Sequence, residues 1–229
     1  MTKGKFIVID GTDGSGKGTQ AKKLVDRLQA EGKNVKLFDF PRYGKPSAVF
    51  VEKYLRGEYG GINDVGPYRA SLFYALDRFD ASFEIRRELA TGTIIISNRY
   101  VSANKGHQMA QIQEPEKRKT FLEWLNELEY GILGIPKPDL TVLLHVPAEI
   151  GYELVAKKDE RGYLDGKKRD ILEADVDHLR AAEAAYLELP RVDTQENWTV
   201  LECAERGQLL TIDEIHSRLW NLLNPLLSS

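Results

Sequence analysis

The segment from Phe6 to Thr19, FIVIDGTDGSGKGT, constrains the fold more than any other part of the chain. FIVID is a short apolar run rich in β-branched residues and bounded by Gly11, which marks a buried strand. From Lys17 to Glu31, Ala21, Leu24, Val25 and Leu28 recur at helical spacing, and Gly32 is a natural stop. Between strand and helix lies GTDGSGKGT, which matches G-x-x-x-x-G-K in the context that gives the pattern its meaning. Gly11, Gly14, Gly16 and Gly18, with Ser15 among them, let backbone N–H groups turn inward, and the helix N-terminus adds its dipole. The loop is therefore expected to hold the phosphates of a nucleoside triphosphate, with Lys17 as a point charge on the β- and γ-phosphates. Gly18 stands where Ser or Thr usually follows the lysine, and Thr19 comes one residue later. A Mg²⁺ ion here is expected to rest on phosphates, water and Asp13 more than on a direct Thr19 ligand.

The same alternation continues down the chain. Val35–Phe40, Thr93–Ser97, Leu140–Val146 and Trp198–Glu202 read as strands. Helices are expected over Ser47–Arg56, from Pro67 to about Thr91, from Pro115 onward, over Asp175–Leu189, and after the Thr211/Glu214 capping-box pair. Near-continuous apolar strands alternating with helices mean a parallel sheet covered on both faces. Ligands in such α/β folds bind at the carboxyl ends of the strands, here just after Asp10, Phe40, Ser97 and Val146.

Bulk properties narrow the function classes. The chain has 229 residues and a formal net charge of -3, which argues against a broad nucleic-acid footprint. The single cysteine, Cys203, excludes an internal disulfide and suits a reducing, cytoplasmic setting. No signal peptide is read at Met1–Lys5, and no apolar run approaches the roughly 20 residues of a membrane span.

Three arginines point to the phosphoryl acceptor. Arg42 follows FDFP at the end of the second strand, Arg78 ends LFYALDR on the long helix, and Arg99 follows the third strand. All three are expected at the carboxyl edge of the sheet, where a guanidinium suits bidentate phosphate binding. An acceptor that is already a phosphate needs no general base, although Asp10 and Asp13 are in place to serve one. Tyr74 lies four residues before Arg78 and shares its helix face, so a base can stack there. The stretch from Lys157 to Asp170, KKDERGYLDGKKRD, reads either as a solvated loop or as a lid that brings Arg161 or Arg169 to the transferring group.

With these segments in view, the chain resembles the thymidylate kinase family over nearly its whole length. The resemblance rests on GTDGSGKGTQ, FPRYG at Phe40–Gly44, LFYALDR at Leu72–Arg78, NRYVSANKGHQ at Asn98–Gln108 and PKPDLTVLL at Pro136–Leu144. It implies one domain over 1–229 with a lid at about 157–170, built as a P-loop NTPase three-layer sandwich around a five-stranded parallel sheet. It also implies transfer from ATP to dTMP with Mg²⁺, commonly in a homodimer. By the same resemblance Tyr74 stacks on thymine, Arg78 and Arg99 clamp phosphate, and Asn104 bonds the thymine edge. Asp13 lies near the monophosphate and the metal, while Phe40, Pro41, Arg42, Tyr43 and Tyr100 belong to the segments lining the substrate.

This sequence departs from the family pattern at three places. Some members carry an arginine where this chain has Gly14, which assigns the catalytic arginine to the lid, at Arg161 or Arg169. Asn98 replaces the aspartate of the Asp-Arg-Tyr motif and removes a charge from the surroundings of the metal. His107 stands where an aromatic residue, often tyrosine, flanks the sugar. Two alternatives stay open at this level: another nucleoside monophosphate or deoxynucleoside kinase, and a nucleotide-binding protein with impaired catalysis.

Overall fold

The computed structural model describes residues 3–156 and 176–227. Five parallel strands make the main sheet: β1 (Phe6–Asp10), β2 (Val35–Asp39), β3 (Ile94–Asn98), β4 (Leu140–His145) and β5 (Trp198–Glu202), in the order β2-β3-β1-β4-β5. Side chains alternate across it. Phe6 and Val8 of β1 face one apolar layer, whereas Ile7 and Ile9 face the other.

The first layer holds the long helix α3 (Ile62–Ala90), α4 (Val101–Met109), α5 (Pro115–Asn126) and α7 (Val176–Val192), represented by Ile85, Met109, Phe121 and Leu189. The second holds α1 (Lys17–Ala30) and α8 (Ile212–Leu227), through Leu24, Leu28, Leu219 and Leu223. This is the expected three-layer sandwich. A short helix, α2 (Val49–Leu55), packs Tyr54 and Leu55 beside α3, and α6 (Ala148–Ala156) follows β4. A two-residue hairpin, β6 (Ala204–Glu205) and β7 (Gln208–Leu209), precedes α8.

Local chemistry explains the element ends. α3 is broken at Gly66 (φ 73, ψ 166), so its long regular run begins at Pro67. Asp64 accepts from the Gly61 N–H at 2.7 Å and closes the turn before that break. Thr211 and Glu214 form the reciprocal cap that opens α8.

Two helices were not expected from the sequence. Nearly every residue of α4 is buried, so it lacks a polar face and shows no amphipathic period. α6 lies between β4 and the charged segment, where no element is read from the sequence. Residues 157–175 separate α6 from α7, and the expected lid, with Arg161 and Arg169, lies outside the described residues.

Candidate active site

The topology makes a crevice at one place. β1 and β3 are adjacent and parallel, with Ile9 paired to Asn98. The helix after β1 goes to the α8 side of the sheet, and the helix after β3 goes to the α7 side. Chains leaving two neighbouring strands in opposite directions open a cleft at their carboxyl ends.

The loop Gly11–Gly16 leaves β1 into this cleft. Gly11, Gly14 and Gly16 have φ values of 153, 87 and 78, in the region that favours glycine. Gly14 is tightly enclosed. A Cβ there would lie 2.2 Å from the carbonyl oxygen of Gly151 in α6. An arginine at this position is therefore excluded by backbone, which gives the Gly14 departure a physical cause. Lys17 is buried, and its ammonium donates to the Thr12 carbonyl at 3.0 Å and to Asp13 Oδ1 at 3.3 Å. Gly18 and Thr19 reach solvent on the first turn of α1.

Arg99 enters from the other side of the cleft. Its backbone is left-handed, with φ 65, an uncommon conformation for a residue with a Cβ. Two bonds fix it: the Arg99 N–H donates to the Ile9 carbonyl at 3.0 Å, and the Ser97 hydroxyl donates to the Arg99 carbonyl at 2.6 Å. The turn sends the guanidinium back toward the phosphate loop, where Nη2 donates to Asp13 Oδ1. Nη1 donates to His107 Nε2 at 3.1 Å, which places the histidine proton on Nδ1. Burial alone would lower the Arg99 pKa. Asp13, Tyr186 and Asp10 outweigh that and hold it well above the ordinary value, so the cation is permanent.

Beneath this cluster lies a network whose assembly sequence reading did not foresee. Asp10 is fully buried and accepts from the Gly11 N–H at 2.8 Å, the Tyr186 hydroxyl at 3.1 Å and the Ser102 hydroxyl. Burial raises its pKa, opposed by Arg99 and Lys17. The Tyr186 ring also fills the space over Gly106, where a Cβ would fall 2.3 Å from the ring, and meets His107 edge-on at 5.5 Å. α7 is thereby locked onto α4. No spacing signal links Tyr186 to Asp10 across 176 positions.

The expected substrate residues fall into three groups. Asn104 is buried in α4 and donates to the Ser71 carbonyl of α3 at 3.2 Å, one turn before half-buried Tyr74. Asn104 thus meets α3 at Ser71, while the Tyr74 ring meets Tyr54 of α2 edge-on at 6.4 Å. Arg42 and Arg78 are already engaged by carboxylates. Arg42 donates to Asp77 at 2.9 Å and Asp80 at 2.6 Å, and Arg78 is fully buried against Glu129 while donating to the Tyr100 carbonyl at 3.2 Å.

Phe40 and Tyr100 turn their rings into the core layer. Their rings pack 5.6 Å apart, Tyr100 lies 5.0 Å from Phe6, and the Tyr100 hydroxyl donates to the Pro136 carbonyl at 3.1 Å. Tyr43, by contrast, is 40% exposed at the cleft margin beyond Pro41.

Metal-ligating side chains are sparse. Among the described residues no group of three or more His, Cys, Asp or Glu side chains is arranged to hold an ion. Asp39 and Asn98 stand together at the ends of β2 and β3, with Asn98 Nδ2 donating to Asp39 Oδ1 at 2.7 Å. Burial raises the Asp39 pKa, while the Asn98 bond and the charges of Arg99 and Lys17 lower it.

A glycine-rich phosphate loop, a lysine inside it and an arginine facing it across the β1–β3 cleft define a P-loop phosphotransferase of the nucleotide kinase type. Comparison with known proteins places it further. The family model described as thymidylate kinase matches residues 9–211. Thymidylate kinase from Mycobacterium tuberculosis is 33% identical over 197 residues, covering 86% of this chain and 90% of that protein. The enzyme of the same name from Caulobacter vibrioides is 32% identical over 192 residues, covering 83% and 85%. The chain belongs to the thymidylate kinase family. A solved structure of thymidylate kinase from Candida albicans superposes with a TM-score of 0.73 at 24% identity, covering 98% of this chain and 92% of that one, and supports the fold.

Proposed function

We infer that the protein transfers the γ-phosphoryl group of ATP to dTMP, giving ADP and dTDP, within a single domain over residues 1–229. One observation carries this reading: two cations from the segments that follow β1 and β3, Lys17 and Arg99, meet on Asp13 inside the cleft. Without substrate, Asp13 compensates charges that would otherwise repel. When phosphates enter, the same cations are already aimed at the point between donor and acceptor, so little reorganisation is needed during transfer. Asn104 of α4 and the half-buried ring of Tyr74 on α3 suit the edge and face of a base. Coupled ADP release with dTMP, dUMP, UMP, AMP and thymidine tests the assignment. Turnover is expected to be highest with dTMP, and a maximum with AMP or thymidine would overturn it.

The scarcity of metal-ligating side chains fits Mg²⁺ carried in by ATP, with Asp13 and the Thr19 hydroxyl as the loop oxygens that would hold it. When bound, the ion would supply positive charge against the charge that develops on the phosphates. Arg161 and Arg169 supply the lid cation in this reading. Arg161→Ala or Arg169→Ala is expected to lower kcat more than it raises the dTMP KM, and the lid role fails if neither variant changes kcat.

The family reading also includes a homodimer. α3 supports this by exposing Tyr68, Leu72, Leu76 and Phe83 at 41%, 40%, 48% and 61%, an apolar stripe along one helix. Leu76→Asp combined with Phe83→Asp should convert a dimer to a monomer in sedimentation; an unchanged dimer would place the interface elsewhere. Among the described residues no helix is long and apolar enough to cross a membrane. The substrates and the lone buried Cys203 favour a cytoplasmic enzyme.

A further inference from the structure

Asn98 and Asp39 occupy paired positions on β3 and β2 at the carboxyl end of the sheet. Their hydrogen bond uses only the amide nitrogen of Asn98. Asn98 Oδ1 is buried and accepts no hydrogen bond from the described residues. A buried acceptor without a donor costs about 1–3 kcal/mol, so Asn98 Oδ1 calls for a donor that the described residues do not supply. The amide faces the phosphate loop: a Cβ on Gly18 would lie 3.4 Å from Asn98 Nδ2. Asp39 in turn feels the charges of Arg99 and Lys17, which places its carboxylate in the field of the site.

The two residues are chemically linked. An aspartate at position 98 would set a second carboxylate against Asp39, and two such groups in contact cannot both ionise readily. An amide at 98 and an acid at 39 together carry one negative charge and leave the amide oxygen without a donor among the described residues.

We propose that Asp39 and Asn98 act as one positioning couple for the hydrated magnesium of bound ATP. Asn98 Oδ1 accepts from the ion's water shell, and Asp39 supplies the negative charge behind the amide. The carboxylate that the family resemblance puts on β3 is provided in this chain from β2. The inference rests on the magnesium-dependent reading above and adds Asp39 to it.

Mn²⁺ binding to the protein–ADP complex, followed by electron paramagnetic resonance, tests the couple apart from turnover. Asp39→Asn is expected to weaken Mn²⁺ about tenfold while metal-free ADP affinity stays within about twofold of wild type. The exchange variant Asp39→Asn/Asn98→Asp restores the charge on the other strand and is expected to return Mn²⁺ affinity to within about threefold. Asp39→Ser, which keeps an oxygen for Asn98, gives the same reading if Asp39→Asn does not fold. Mn²⁺ affinity unchanged in Asp39→Asn, or an exchange variant no tighter than Asp39→Asn, overturns the couple alone. A wild-type ADP complex that takes up no Mn²⁺ overturns the magnesium reading and the couple with it.

Discussion

Replacing Arg99 with alanine is expected to lower kcat/KM for dTMP by about 10²- to 10⁴-fold, equivalent to roughly 3–5 kcal/mol of transition-state stabilisation. Arg99 is the only described arginine held directly against the phosphate loop, through Asp13. Its guanidinium is fixed from three sides: by Asp13, by His107 and by the backbone turn that Ile9 and Ser97 impose. Such a preorganised cation acts on charge that grows during transfer, and water filling the space cannot replace it at equal strength. Folding should survive the change, because Asp13 keeps Lys17 as a partner. The backbone supplies a control. At φ 65 a Cβ is disfavoured, so Arg99→Gly should melt higher than Arg99→Ala while being equally slow. A loss below about threefold in kcat/KM would place Arg99 outside the reacting centre.

Arg99 also shows where sequence reading works and where it stops. Its place after an apolar strand was enough to put it in the cleft, because strand ends are legible from composition. Its partner Asp13 was legible for the same reason, lying in the loop after β1. What the guanidiniums of Arg42 and Arg78 meet was not legible. Asp77 and Asp80 lie 35 and 38 positions from Arg42, and Glu129 lies 51 from Arg78. Long-range pairing depends on how layers stack, and stacking leaves no period in the chain. Tyr100 illustrates a side-chain direction that the sequence does not carry. It lies in a segment rich in polar residues next to Arg99, yet its ring turns into the core against Phe6 and Phe40. A motif fixes where the backbone runs; which side chains then face inward depends on the turn at Arg99. Asp39 gave a readable hint, a charge ending an apolar strand, and its meaning emerged only from the β2–β3 register.

The second large effect is expected at Gly14, a position with no side chain at all. Gly14→Ala should lower kcat/KM for ATP by about 10²-fold, with the nucleotide KM rising. Two independent penalties act there. The left-handed backbone at φ 87 costs a residue with a Cβ about 1–2 kcal/mol. The new methyl would also lie 2.2 Å from the Gly151 carbonyl oxygen, far inside contact distance. The opposed atoms are backbone, and position 151 is already glycine, so trimming a side chain on α6 offers no relief. Either the phosphate loop or the start of α6 must move. Both moves disturb the N–H groups that surround the phosphates, and a shift of about 1 Å in such a cradle is enough for the stated loss. Gly16→Ala is the comparison: it has a similar φ of 78, but a Cβ there meets nothing within 4 Å. It should retain more activity than Gly14→Ala, since it carries the backbone penalty without the collision. Equal losses in the two variants would mean that the α6 contact is irrelevant and that backbone conformation alone sets the requirement for glycine. A larger loss at Gly14 would identify α6 as the wall against which the phosphate loop is shaped, and would explain why this chain has no arginine in the loop.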